Sequence, residues 1–160
     1  MLKVGGKGKN RNKATSNLMR VGGWRQVMSE YVFPFEKLQV WQLSVDLAEF
    51  VLDLLDNFPK NKHFRLVAQM EAAVTSPAQN TAEGKGRQYK KEFIQFLHIA
   101  QGSLYEVVTL NEIFRRKTLF SGEESSKIRE RCEQIDRKLN GLINSLKGNK
   151  RKYSAGKLEE

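Results

Sequence analysis

The chain has 160 residues, 39% hydrophobic and 29% charged, with a net charge of +10; this is the composition of one polar-surfaced domain with room for short tails. A single cysteine excludes an intramolecular disulfide, two histidines at no ligand spacing argue against a metal site, and charges such as Glu49 and Asp53 break every long apolar stretch, so no membrane span is expected and a cytoplasmic location is the default. The charge is uneven: residues 1–30 hold seven bases against Glu30, residues 147–160 hold five against Glu159 and Glu160, and residues 31–146 are almost balanced with 16 bases and 15 acids.

Residues 1–30 contain five glycines and little apolar periodicity, and read as a disordered basic tail. Met19 and Met28 are alternative candidate starts, and no apolar run follows that would mark a secretory signal. A helical domain is expected over residues 31–147, followed by a second basic tail over 148–160.

The first predicted helix runs from about Phe35 to Asn57. Its apolar residues fall in two rows: Leu38, Trp41, Val45, Ala48, Leu52, Leu55 and Val40, Leu43, Leu47, Phe50, Leu54. At about 100° per residue the rows are centred roughly 140° apart. An edge helix needs an apolar stripe only somewhat wider than about 100°. This helix therefore sits centrally or faces a second subunit, and Val40, Leu43, Leu47, Phe50 and Leu54 are the candidate oligomer interface. Phe58-Pro59 ends it, because the residue before proline avoids the helical region.

The second predicted helix runs from about Lys62 to Glu83, with Asn61 as candidate N-cap and Gly84 as candidate C-cap. Pro77 inside it removes a backbone donor, so a kink is expected, with Ser76, Asn80 and Thr81 placed to repair the break. The third helix runs from about Tyr89 to Lys117, with Phe93, Phe96, Leu97, Ala100, Leu104, Val107, Leu110 and Phe114 as its apolar side. Gly102 in its middle costs about 1 kcal/mol of helix propensity, which suggests that another helix comes close there. The fourth helix runs from about Gly122 to Lys147. Ser121 and Glu124 form a candidate capping box, and Ile128, Cys132, Ile135, Leu139, Leu142 and Leu146 form a single stripe. Four helices with short connections imply an all-α, antiparallel up-down-up-down four-helix bundle.

Several of these segments resemble a known family. The stretches from Phe35 to Gln42, from Asn57 to Pro59, from Ser76 to Gly84 and from Phe93 to Glu106 are similar to those of the four-helix-bundle proteins encoded within intervening sequences of bacterial 23S rRNA genes. The match spans about residues 33–146, and Thr81 stands where the family commonly has an aliphatic residue. The resemblance implies a four-helix protomer that assembles into a ring-like homopentamer. It also implies kinship with the accessory protein of diversity-generating retroelements, which binds nucleic acid through a basic surface and partners a reverse transcriptase. Fold transfers across such a resemblance better than function does.

Lys85, Arg87, Lys90 and Lys91 form the densest basic cluster of the domain, at the turn between the second and third helices beside Gly84 and Gly86. Free N–H groups and positive potential at a helix N-terminus suit phosphate oxygens, although an ordinary solvated loop has the same composition. Arg115, Arg116 and Lys117 form a second cluster, where the helix dipole alone would favour cations. Arg129, Arg131, Arg137 and Lys138 alternate with Glu130, Glu133 and Asp136, as on a solvated face with local pairs. No catalytic set can be assembled, so no enzyme activity and no cofactor are expected. Asn80 and Glu83 are expected to tie the kinked helix to its neighbour. His98 is expected to be packed or interfacial, Cys132 to be a small buried hydrophobe, and Trp41 to lie in the core or interface. Trp24 could stack on a base from the tail. Two functions fit: an oligomeric accessory protein that binds nucleic acid, RNA before DNA, through phosphate contacts, or a protein–protein scaffold with only incidental nucleic-acid binding.

Overall fold

The computed structural model describes residues 31–58 and 63–148. The tail assignments over 1–30 and 149–160, Trp24 and the candidate cap Asn61 lie outside them. Among the described residues there are four helices and no strands: α1 (Gln39–Leu55), α2 (Phe64–Lys85), α3 (Lys90–Arg116) and α4 (Gly122–Leu146). None is long and apolar enough to cross a membrane.

Each helix packs on its neighbours in chain order, and α4 closes back on α1. The side-chain contacts fix the directions. Ser76 meets Ser103 while Gly84 meets Phe93 and Phe96, so α2 and α3 run antiparallel. Gln101 reaches Asp136 and Asn111 reaches Ser125, so α3 and α4 do too. Arg131 lies over Phe50, and Phe120 beside Phe58, which reverses α4 against α1.

α1 begins four residues later than expected. Phe33 donates its backbone N–H to Glu36 Oε2 at 2.6 Å and Glu36 donates back to the Phe33 carbonyl at 3.0 Å, closing a turn over residues 34–37 that takes the place of a helical turn. Gln42 Nε2 bonds the Glu36 carbonyl at 2.7 Å and ties that turn to α1.

The buried stripe of α1 is Val40, Ser44, Leu47, Ala48, Val51 and Leu55. It runs between the two apolar rows read from the sequence and takes members from both. Ser44 is tolerated there because its hydroxyl donates to the Val40 carbonyl at 2.8 Å, leaving no unpaired buried donor. Leu43, Phe50, Leu52 and Leu54 flank the stripe, half-buried against the core. The wide apolar arc of α1 thus packs its centre inward and lays its edges on the core's margin.

α2 runs unbroken through Pro77. Thr81 is fully buried, and its hydroxyl donates to the Pro77 carbonyl at 2.8 Å, which satisfies a polar group where an aliphatic side chain would otherwise fill the space. Its caps differ from expectation. His63, at φ 57°, precedes the helix, and Gly86, in ordinary right-handed geometry, follows it.

Gly84 lies inside the helix and is buried. A Cβ there would fall 2.5 Å from Phe96 Cβ and 2.9 Å from Phe93 Cδ2. This is the close helix–helix approach that Gly102 was expected to mark, whereas Gly102 faces open space. The α2–α3 tie near it comes from Ser103, whose Oγ is 2.7 Å from Ser76 Oγ. Asn80 Nδ2 orients Ser76 by bonding its Oγ and its carbonyl, each at 2.9 Å, so Asn80 does support the tie between helices.

α4 starts at the expected capping box, with both reciprocal bonds between Ser121 and Glu124 present. Ile128, Cys132, Ile135 and Leu139 are buried as the stripe required, and Ile143 is buried further along while Leu142 and Leu146 are half-buried. Phe58, Phe114 and Phe120 meet with ring centroids 4.7–5.7 Å apart and seal the end of the bundle where α1 finishes and α4 starts.

Candidate nucleic-acid interface

The two basic clusters sit at opposite ends of α3, whose 27 residues span about 40 Å. At the first end, α2 closes through the backbone: Gly86 donates to the Ala82 and Glu83 carbonyls and Arg87 to the Gly84 carbonyl. The buried contact of Gly84 with Phe93 and Phe96 holds this turn against α3.

Two of the four cations are seated on those same rings. Lys85 Nζ lies 5.7 Å from the Phe93 centroid and Arg87 Cζ 4.7 Å from the Phe96 centroid, both within cation–π range. Arg87 also pairs with Glu83 one turn earlier. Glu83 therefore orders the basic turn and does not tie α2 to a neighbouring helix as expected. Lys85, Lys90 and Lys91 are exposed, with no carboxylate partner among the described residues. Lys90 and Lys91 open α3, where the free N–H groups of the first turn add to their positive potential.

Tyr89, expected only as a helix boundary, precedes α3. It is 63% exposed and stands among Arg87, Lys90 and Lys91. An aromatic within a basic run is the signal that could have singled it out.

The second cluster is largely neutralised. Arg115 forms two bonds to Glu112, at 2.9 and 2.8 Å, and Arg116 bonds the same carboxylate at 2.7 Å. Hydrogen bonds from the two guanidinium groups hold the Glu112 carboxyl down at about 2. Lys117 alone of the three has no such partner among the described residues. Glu112 and Arg116 also line a shallow open depression with Val108, Ile113 and Arg129.

Val40 and Leu47, at 3% and 0% exposure, are packed in the protomer's own core, so the part of the candidate interface row left accessible is Leu43, Phe50 and Leu54. Phe50 carries Arg131 over its ring at 4.7 Å. Trp41 is half-buried, with Phe35 5.2 Å away. His98 is exposed on α3 and is not buried in the protomer's core. Cys132 is buried, and desolvation pushes its thiol up to about 12, so it carries no nucleophile at neutral pH.

On α4, Arg129 and Arg137 pair locally with Glu133, as expected of a solvated face. Asp136 instead reaches across to α3, accepting from Gln101 at 2.8 Å and from the Tyr105 hydroxyl at 3.1 Å. Among the described residues no group of His, Cys, Asp and Glu is placed to hold a metal.

The profile of the 23S rRNA-intervening sequence protein family matches residues 36–141. The chain belongs to this family. The matched stretch runs from the turn before α1 nearly to the end of α4, so the family assignment covers most of the bundle and both basic ends. A solved protein of unknown function from the S23 ribosomal protein family of Bacteroides thetaiotaomicron is similar in structure, with a TM-score of 0.61 over 65% of this chain and 97% of that one. At 24% identity that likeness shows the four-helix fold of the family and no more. No curated protein matches the chain.

Proposed function

We propose that this family member is a non-enzymatic accessory protein that binds nucleic acid, RNA before DNA, with the α2–α3 end of the bundle as its phosphate-contacting surface. The observation that carries this reading is the state of the cations there. Lys85, Lys90 and Lys91 are exposed without carboxylate partners among the described residues, and Arg87 is held in place by Glu83 and Phe96. Such a surface contacts phosphates without reading sequence. The family's link to rRNA intervening sequences favours RNA as the polyanion.

A homo-oligomer belongs to the same proposal, and the ring of five implied by the family resemblance would repeat this end around one face. Weak contacts would then add through avidity. Leu43, Phe50 and Leu54 are the residues offered to a neighbouring subunit. Replacing Leu43 with Glu is expected to lower the mass measured by light scattering while helicity is retained; an unchanged mass would remove this row from the interface.

The test of binding is fluorescence anisotropy of full-length protein with labelled RNA at several salt concentrations. Four phosphate contacts give a slope of log K against log salt of about −3. Replacing Lys85, Arg87, Lys90 and Lys91 together with Gln should flatten that slope and weaken binding at low salt at least tenfold. Binding unaffected by the four changes would place the contact elsewhere and favour the scaffold reading.

A further inference from the structure

We infer that the α2–α3 end takes an unpaired RNA segment, with Tyr89 as the platform on which one exposed base stacks; this rests on the nucleic-acid reading above. Large exposed aromatic rings in this bundle are otherwise engaged. Phe33 stacks on Phe35 at 5.5 Å, Phe64 has Arg65 5.7 Å from its centroid, and the Tyr105 hydroxyl is bonded to Asp136; Tyr31 also has an interaction partner. Tyr89 is 63% exposed, and its side chain has neither a ring neighbour nor a hydrogen-bond partner among the described residues.

Its surroundings give the ring a use. The backbone at Tyr89 is extended, at φ −105° and ψ 134°, and its carbonyl accepts from Phe93 N at 3.2 Å. The ring therefore projects from an anchored helix start. A tyrosine has two side-chain torsions to fix, so holding it costs little entropy. Arg87, Lys90 and Lys91 lie within two residues on either side. Cations for the backbone and an aromatic face for a base are the two parts of a single-strand site.

A duplex cannot use the second part. In A-form RNA the bases are stacked on one another, and the deep major groove excludes side chains. The lysines would attract duplex and single strand alike, whereas Tyr89 adds affinity only for a nucleotide free to leave the stack. Discrimination between the two is thus assigned to one residue and the salt-dependent attraction to its neighbours.

The experiment compares full-length wild-type protein with Tyr89→Ala, Tyr89→Phe and Lys90→Gln/Lys91→Gln. The probes are an unstructured single-stranded RNA of about 20 nucleotides and the same strand annealed to its complement. Loss of one stacked base should weaken single-strand binding on the order of 10- to 100-fold in Tyr89→Ala, with the duplex affinity and the salt slope unchanged. Tyr89→Phe should restore the loss, since the face and not the hydroxyl is used. The double lysine variant should weaken both probes and flatten both slopes. Equal affinity of Tyr89→Ala and wild type for the single strand, with the lysine variant weakened, would overturn the stacking role and leave the phosphate surface standing. Binding insensitive to all three variants would overturn both.

Discussion

The two ends of α3 carry similar numbers of cations in sequence and very different ones in space. At the α2–α3 end one carboxylate, Glu83, engages one cation, Arg87, and three lysines have no carboxylate partner among the described residues. At the α3–α4 end one carboxylate, Glu112, engages two arginines and leaves Lys117. Basic clusters therefore cannot be ranked by counting charges, because local pairing decides which charges an incoming phosphate meets. The first end is also built more firmly: Gly84 lets α2 lie on Phe93 and Phe96, and those rings carry Lys85 and Arg87.

The strongest way to disturb this contrast is through the bundle itself. Leu47→Glu places a carboxylate at a fully buried position, and a loss of more than about 4 kcal/mol is expected, enough to unfold the domain. Circular dichroism would show it, whereas half-buried Leu43→Glu should remain helical. Gly84→Ala comes next. The added Cβ meets Phe96 Cβ, which is fixed to the backbone and cannot swing away, so overpacking of about 1–3 kcal/mol is expected, less the gain of up to about 1 kcal/mol in helix propensity. Denaturant unfolding would measure the loss. RNA affinity should fall with it although no charge is removed, because the basic turn is no longer held against α3.

Most of the bundle was legible because its signals are local. Stripes at helical spacing, a capping box at Ser121 and Pro59 after the first helix all act within a few residues of chain. What escaped depends on partners distant in sequence. Nothing near Gly84 reveals that Phe93 and Phe96 lie against it, so the close approach was assigned to Gly102. Ser44 belongs to neither apolar row of the first helix, and only its bond to the Val40 carbonyl fits it to the core. The Phe58, Phe114 and Phe120 cluster joins three separate elements. At the candidate site the four cations were legible, while their pairing was only half read. Glu112 lies three and four residues before Arg115 and Arg116, a spacing that already announces the clamp.

The smaller effects test that clamp. Glu112→Gln should release both guanidinium groups and raise RNA affinity at low salt by a few-fold. Its pH dependence follows from its sign. The Glu112 carboxyl is held below its ordinary 4.5, at about 2, so the clamp's contribution is complete above pH 4.5 and is lost as pH falls toward 2. A side-chain carboxyl titration by NMR should place the midpoint near 2 in wild type and move it up when Arg115 and Arg116 are both replaced with Gln. For Cys132 the direction is opposite. Its thiol stays protonated in the fold up to about 12 against an ordinary 9.0, so its contribution is intact below pH 9 and fades as pH rises toward 12. A disulfide reagent at pH 8 should leave the native protein unmodified and react on unfolding.

The most direct measurement is a salt titration of RNA binding by three full-length proteins: wild type, the Gln replacement of Lys85, Arg87, Lys90 and Lys91, and the Gln replacement of Arg115, Arg116 and Lys117. The expected result is a slope made shallower by about 3 by the first set and left almost unchanged by the second. Equal losses from both sets, or a loss from the second alone, would contradict the assignment of the phosphate-contacting surface to the α2–α3 end.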